Sequence, residues 1–120
     1  MIRILFVDDE NNLLEGLKRM LRKKKDEWEM EFANSGASAL ELLEKGKFNI
    51  IVTDYKMPGM DGLELLARVK EKFGETKRII LSGQSEAEIF NRSKEVAQFY
   101  LAKPCDPEQI ISVIEQCSKN

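Results

Sequence analysis

An unbroken run of β-branched apolar residues, Ile50-Ile51-Val52, ends on Thr53 and Asp54 and passes into Tyr55-Lys56-Met57-Pro58-Gly59-Met60-Asp61-Gly62. A strand that is apolar on both faces has to be covered on both faces, which is the situation of a central strand in a parallel sheet. The carboxyl ends of strands in an open α/β sheet form the edge where ligands bind. Asp54 therefore belongs to the functional edge, and the rest of the chain is read by what it brings there.

A second apolar run, Arg3-Ile4-Leu5-Phe6-Val7, also ends on acid: Asp8, Asp9 and Glu10. Leu13, Leu14, Leu17, Met20 and Leu21 follow at helical spacing, and the basic run Arg22 to Lys25 closes that helix as a complement to its dipole. Trp28 to Ala33 reads as an edge strand, because Glu29 and Glu31 alternate with Met30 and Phe32. Ser35-Gly36 turns the chain into a helix with Ala39, Leu40 and Leu43 that ends at Gly46. Asp61 and Glu64 have capping-box spacing before Leu63, Leu66, Val69 and Phe73. Arg78 to Leu81 is the fourth strand and runs into Ser82-Gly83. Ser85 and Glu88 cap a weaker helix through Ile89 and Phe90, and the charged stretch 91–97 predicts that this helix is short or mobile. Gln98 to Leu101 is the fifth strand. Asp106, Pro107 and Gln109 open the last helix, with Ile110, Ile114 and Cys117 on one stripe.

Five alternating strand–helix units, joined by right-handed crossovers, make a doubly wound parallel sheet, (βα)5, in a single domain over 1–120. Of the two common strand orders, 2-1-3-4-5 sets the strands ending at Val7 and Val52 side by side and gathers their acids at the switch point.

Composition excludes several kinds of chemistry. The 120 residues include no histidine, which removes Ser-His-Asp hydrolases, Cys-His proteases and histidine-ligated zinc. Cys105 and Cys117 lack ligand-like spacing and read as free thiols of a cytoplasmic protein. A net charge of -2 argues against direct nucleic-acid binding, and no apolar span is long enough to cross a membrane. What remains is oxygen chemistry. Asp8, Asp9 and Asp54 would converge at one sheet edge, where two like charges about 4 Å apart repel by roughly 4 kcal/mol at an effective dielectric of about 20. Such a cluster calls for protons or a cation, and carboxylate donors alone select a hard ion such as Mg²⁺. Ser82 and Lys103 stand at the tips of the two remaining strands, with Pro104 restricting the backbone next to Lys103.

Phe6-Val7-Asp8-Asp9-Glu10, Asp54 with Met57-Pro58-Gly59-Met60-Asp61-Gly62, Leu81-Ser82-Gly83 and Tyr100-Leu101-Ala102-Lys103-Pro104, in that order, resemble the receiver domain of two-component response regulators. The resemblance covers nearly the whole chain. It implies a CheY-like fold and a phosphoacceptor switch rather than a turnover enzyme. Asp54 matches the phosphoacceptor. Asp9 matches a direct ligand of Mg²⁺ (or Mn²⁺), Asp8 a ligand acting through water, and the Lys56 backbone carbonyl the third protein ligand. Lys103 matches the lysine on a phosphoryl oxygen, Ser82 the switch hydroxyl and Tyr100 the switch aromatic. Ser82 stands where Thr is commoner, and Lys56 and Gln84 occupy positions that tune phosphoryl lifetime. The implied partners are a sensor histidine kinase or histidine phosphotransfer protein, and an output domain or protein, with phosphorylation-dependent self-association a further expectation.

Competing readings meet specific obstacles. An aspartyl phosphatase carries a second acid two residues after its nucleophile, and position 56 is Lys. A flavin-binding domain needs a hydroxyl- and glycine-rich phosphate loop where this chain has Asp8-Asp9-Glu10. A phosphorylation-independent docking module on the same fold is the alternative that the residues leave open.

Overall fold

The computed structural model describes residues 1–83, 87–104 and 106–119. Strands β1 (Ile2–Val7), β2 (Trp28–Ala33), β3 (Ile50–Asp54), β4 (Lys77–Ser82) and β5 (Phe99–Ala102) alternate with helices α1 (Asn11–Met20), α2 (Gly36–Lys45), α3 (Gly62–Lys72), α4 (Ala87–Ser93) and α5 (Pro107–Lys119). All pairings are parallel and the order is β2-β1-β3-β4-β5, as the spacing of acids predicts.

The apolar run of β3 is covered on both sides. Ile51 joins Leu5, Val7 and Ile80 under α2 and α3, with Leu43, Leu65, Leu66 and Val69 fully or nearly buried there. Ile50 and Val52 join Ile4, Phe6 and Ile79 under α1 and α5, with Leu14, Ile110, Ile111 and Ile114. Each such side chain stabilises the fold by about 1.5–3 kcal/mol through burial. These two layers fix the strand register, and the register fixes the site.

Side-chain caps set the starts of α2, α3 and α5. Asp61 Oδ1 accepts the Glu64 N–H at 2.9 Å, and Asp106 and Gln109 cap each other reciprocally at 2.9 and 2.8 Å. Ser35, read from sequence as part of a turn, is the N-cap of α2, its hydroxyl accepting from Ser38 N–H at 3.1 Å. Ser85 lies outside the described residues. Among the described residues α4 covers Ala87–Ser93.

Two expectations about the first helix are corrected. Leu13 and Met20 stay 45% and 47% exposed, so the buried stripe of α1 is narrower than its apolar one. The basic run does not simply close α1. Leu21 is wholly buried and stops the helix, and Arg22–Lys24 form a separate 3-10 turn. There Lys23 and Lys24 pair with Glu108 and Glu115 of α5, the latter at 3.0 Å. Cys117 is a free buried thiol whose pKa burial pushes up to about 11, which makes it inert; Cys105 lies outside the described residues. No helix among the described residues is long and apolar enough to cross a membrane.

Candidate functional site

The register Val7↔Thr53 sets Asp8 level with Asp54 at the end of β3, so that Asp8 and Asp9 gather beside Asp54. One carboxylate oxygen from each of the three lies within 4.8 Å of the others. Asp8 and Asp54 are buried, and Asp9 is the more accessible of the set. The next two strand tips close the ring. Ser82 is fully buried at the end of β4, opposite Ala102 of β5, and Lys103 follows directly. The Lys103 Nζ stands 2.8 Å from Asp54 Oδ1 and 3.9 Å from Asp8 Oδ2. The Lys103–Pro104 peptide is cis.

Charge explains the state of these groups. Burial is the main cause that raises the Asp8 pKa above the ordinary 3.8. The Glu10 N–H, bound to Asp8 Oδ1 at 3.0 Å, opposes it; the Asp54 charge adds to it, Lys103 subtracts and Asp9 adds. Burial also works against the Lys103 ammonium. The hydrogen bond and charge of Asp54, with Asp8 and Glu10, outweigh that cost and hold the Lys103 pKa above the usual lysine value. Three carboxylates face one ammonium, and the donors are oxygen, without thiolate or imidazole. This set fits a hard divalent cation. A cleft of about 650 Å³ opens over it, lined by Asp9, Asp54, Lys56, Met57, Pro58 and Lys103 among others.

Sequence reasoning missed residues whose role is backbone positioning. A Cβ on Gly62 would come within 2.4 Å of the Asp54 carbonyl oxygen, and the Gly62 N–H donates to the Tyr55 carbonyl at 2.8 Å. The loop after β3 folds back on itself so tightly that only glycine fits. Buried Thr53 donates its hydroxyl to the Asp54 carbonyl at 3.0 Å, and Glu10 supplies the N–H that orients Asp8. The glycine after the helix cap Asp61 was the one available signal; the other two had none.

Of the remaining predicted positions, Lys56 is exposed on the cleft wall. Tyr100 is half-buried and meets the Phe90 ring of α4 edge-to-face, with centroids 5.1 Å apart. Gln84 lies outside the described residues.

Fold and acid cluster define a doubly wound α/β domain with a cation pocket at its switch point. Residues 4–115 match the model of the response regulator receiver domain, and the chain belongs to that family. Its members are signalling domains of two-component systems, switched by phosphorylation, that bind Mg²⁺ at an acidic pocket. The chain is 37% identical to the uncharacterized transcriptional regulatory protein YesN of Bacillus subtilis, over 97% of this chain and 32% of that protein. It is 31% identical to sporulation initiation phosphotransferase F of the same organism, over 95% of this chain and 91% of that one. It spans about a third of YesN and about half of NarL of Escherichia coli. Among solved structures, it superposes on the response regulator TrrA of Thermotoga maritima, in complex with Mg²⁺-BeF, with a TM-score of 0.85. The identity there is 30%, over 98% of this chain and 99% of that one.

Proposed function

We propose that Asp54 is the phosphoacceptor of this receiver, taking a phosphoryl group from a sensor histidine kinase or a histidine phosphotransfer protein. The observation that carries the reading is the Lys103 ammonium 2.8 Å from Asp54 Oδ1, inside a cluster whose other members are Asp8 and Asp9. An Asp54 oxygen forms the new P–O bond while the donor's P–N bond breaks, and the leaving imidazole nitrogen keeps the electron pair. Phosphoryl transfer asks chiefly for positioning and for positive charge near the equatorial oxygens. Lys103 supplies a fixed part of that charge, and Asp54, Asp9 and the Lys56 carbonyl, with Asp8 acting through water, would hold Mg²⁺ (or Mn²⁺). When bound, the ion offsets the charge on the phosphoryl oxygens.

The acyl phosphate adds nearly two negative charges and new acceptors to a buried site. Ser82 donates to a phosphoryl oxygen and draws the end of β4 inward. Tyr100 leaves its edge contact with Phe90 and follows, and the α4-β5-α5 surface changes shape. That surface controls an output domain or protein partner, through self-association or direct contact. The name of the relative phosphotransferase F supports the transfer step, and that of YesN, a transcriptional regulatory protein, supports transcriptional output. Lys56 and Gln84 set the phosphoryl lifetime. The domain promotes its own phosphorylation and dephosphorylation without turning over other substrates.

Incubation with acetyl phosphate and Mg²⁺, followed by intact-mass spectrometry, tests the assignment. One added phosphoryl group is expected on the wild type and none on Asp54→Asn. Lys103→Ala is expected to fold but to accept the group more slowly. A phosphorylated Asp54→Asn protein removes the assignment. An unmodified wild type favours the docking-module reading.

A further inference from the structure

The free edge of the sheet at β2 has no part in the phosphoryl chemistry, yet it has the attributes of a binding groove. β2 is the terminal strand, with six residues and no proline. The Ala33 carbonyl accepts the Asp8 N–H at 3.1 Å and so faces the sheet interior. Neighbouring residues of a strand address opposite sides, so the backbone groups of Met30 and Phe32 address the open edge. Among the described residues no segment pairs with them. Proteins usually cover or charge such an edge. Here the strand's own acids do not guard it. Glu29 and Glu31 are both drawn to Arg3 of β1, at 2.6 and 2.5 Å.

Two clefts of about 350 and 590 Å³ share Lys18 and Phe32 and continue one another along this edge. The apolar wall of the smaller one is Trp28, Met30 and Phe32, and its rim is cationic. Lys18 lies over the Phe32 ring at 5.1 Å and pairs with Glu15 of its own helix at 3.4 Å, whereas among the described residues neither Arg22 nor Lys25 pairs with a carboxylate. In a chain with a net charge of -2, the two unpaired cations Arg22 and Lys25 beside Lys18 select an anionic ligand. A second copy does not meet the requirement. Paired antiparallel, it would bring its own Lys18, Arg22 and Lys25 to the face that already carries those three, and like charges across a strand pair are unfavourable.

We propose that the β2 edge docks an extended acidic segment of a partner protein. Its backbone pairs with Met30 and Phe32, and its carboxylates, at alternate positions, meet Lys18, Arg22 and Lys25. The inference is independent of the phosphoacceptor assignment.

Trp28 is the single tryptophan and stands at the groove, so its fluorescence reports on occupancy. The probe is a short end-blocked peptide alternating valine and glutamate. It is expected to give a saturable Trp28 change and to shift the Met30 and Phe32 amide resonances. The corresponding valine–lysine peptide is expected to do neither. Arg22→Glu with Lys25→Glu should weaken binding by about tenfold or more. That variant should still be phosphorylated at the wild-type rate, since neither residue belongs to the acid pocket. Three results would overturn the proposal: equal binding of the lysine peptide, unmoved Met30 and Phe32 amides, or a double variant that binds like wild type. Concentration-dependent shifts of those amides in the protein alone would assign the edge to a second copy instead.

Discussion

Asp8 shows how a single residue carries opposed demands. Burial and the neighbouring acids raise its pKa above 3.8 in the folded chain, so the fold binds its proton more tightly than the unfolded chain does. The favourable contribution is complete below the ordinary value and is lost as pH rises through the higher folded one. Asp8→Asn is therefore expected to stabilise the metal-free protein near neutral pH, by on the order of 1 kcal/mol. The gap between variant and wild type should open as pH climbs above 3.8, and Mg²⁺ should close it by stabilising only the wild type. Thermal melts across pH, with and without the ion, measure this; a variant less stable than wild type without metal contradicts it. Gly62 is the second case. Its Cβ would strike backbone, whereas a Cβ on Gly36 would meet the flexible Met60 side chain at 2.8 Å. Gly62→Ala is expected to cost about 3 kcal/mol and to impair phosphorylation, and Gly36→Ala less than about 1 kcal/mol. Equal costs in urea denaturation would show that the loop after β3 is less constrained than its geometry implies. The acids were legible in the sequence because each ends an apolar run. Gly62 was visible as a loop residue, but the reason for it was not, because a close approach of backbone to backbone leaves no mark in residue type.

Among the elements, β4 holds the least expected one. Arg78 begins as a polar residue at a strand start, yet it is only 6% exposed. Its guanidinium donates to the carbonyls of Val96 at 2.7 Å, Thr76 at 2.8 Å and Gly74 at 3.3 Å. It thereby ties the turn after α3 to the exit from α4. Burial lowers its pKa, but a guanidinium remains charged at neutral pH. Two effects compete on replacement: the desolvation cost is relieved, while three carbonyls, that of buried Thr76 among them, lose a charged donor. With hydrogen bonds to charged groups contributing about 1.5–3 kcal/mol each, the second wins. Arg78→Met is expected to destabilise by about 3 kcal/mol in chemical denaturation, and an unchanged midpoint would contradict that balance. Strands and caps were legible here, since period-two and capping patterns are local. The burial of Arg78 was not, because it depends on a loop eighteen residues away folding back onto β4. For the same reason Leu13 and Met20 pass for core residues in sequence and stand exposed in the fold.

At the scale of the molecule, strand order does the chemical work. Asp8, Asp54, Ser82 and Lys103 come from four separate segments, and only the order β2-β1-β3-β4-β5 makes their strand tips neighbours. That order was readable because the acids specify which strands must be adjacent. The open β2 edge was readable as an edge, but its cationic rim was not, since Lys18, Arg22 and Lys25 gather there only once the turn after α1 has formed. The central claim is that this convergence holds a divalent cation at Asp54. Titration of the protein with Mg²⁺, followed by amide NMR, tests it most directly. The account predicts saturation at one ion per chain, with the largest shifts at Asp8, Asp9, Asp54 and Lys56, and loss of the response in Asp9→Asn. Shifts scattered over the surface, or an unchanged titration in that variant, would contradict it.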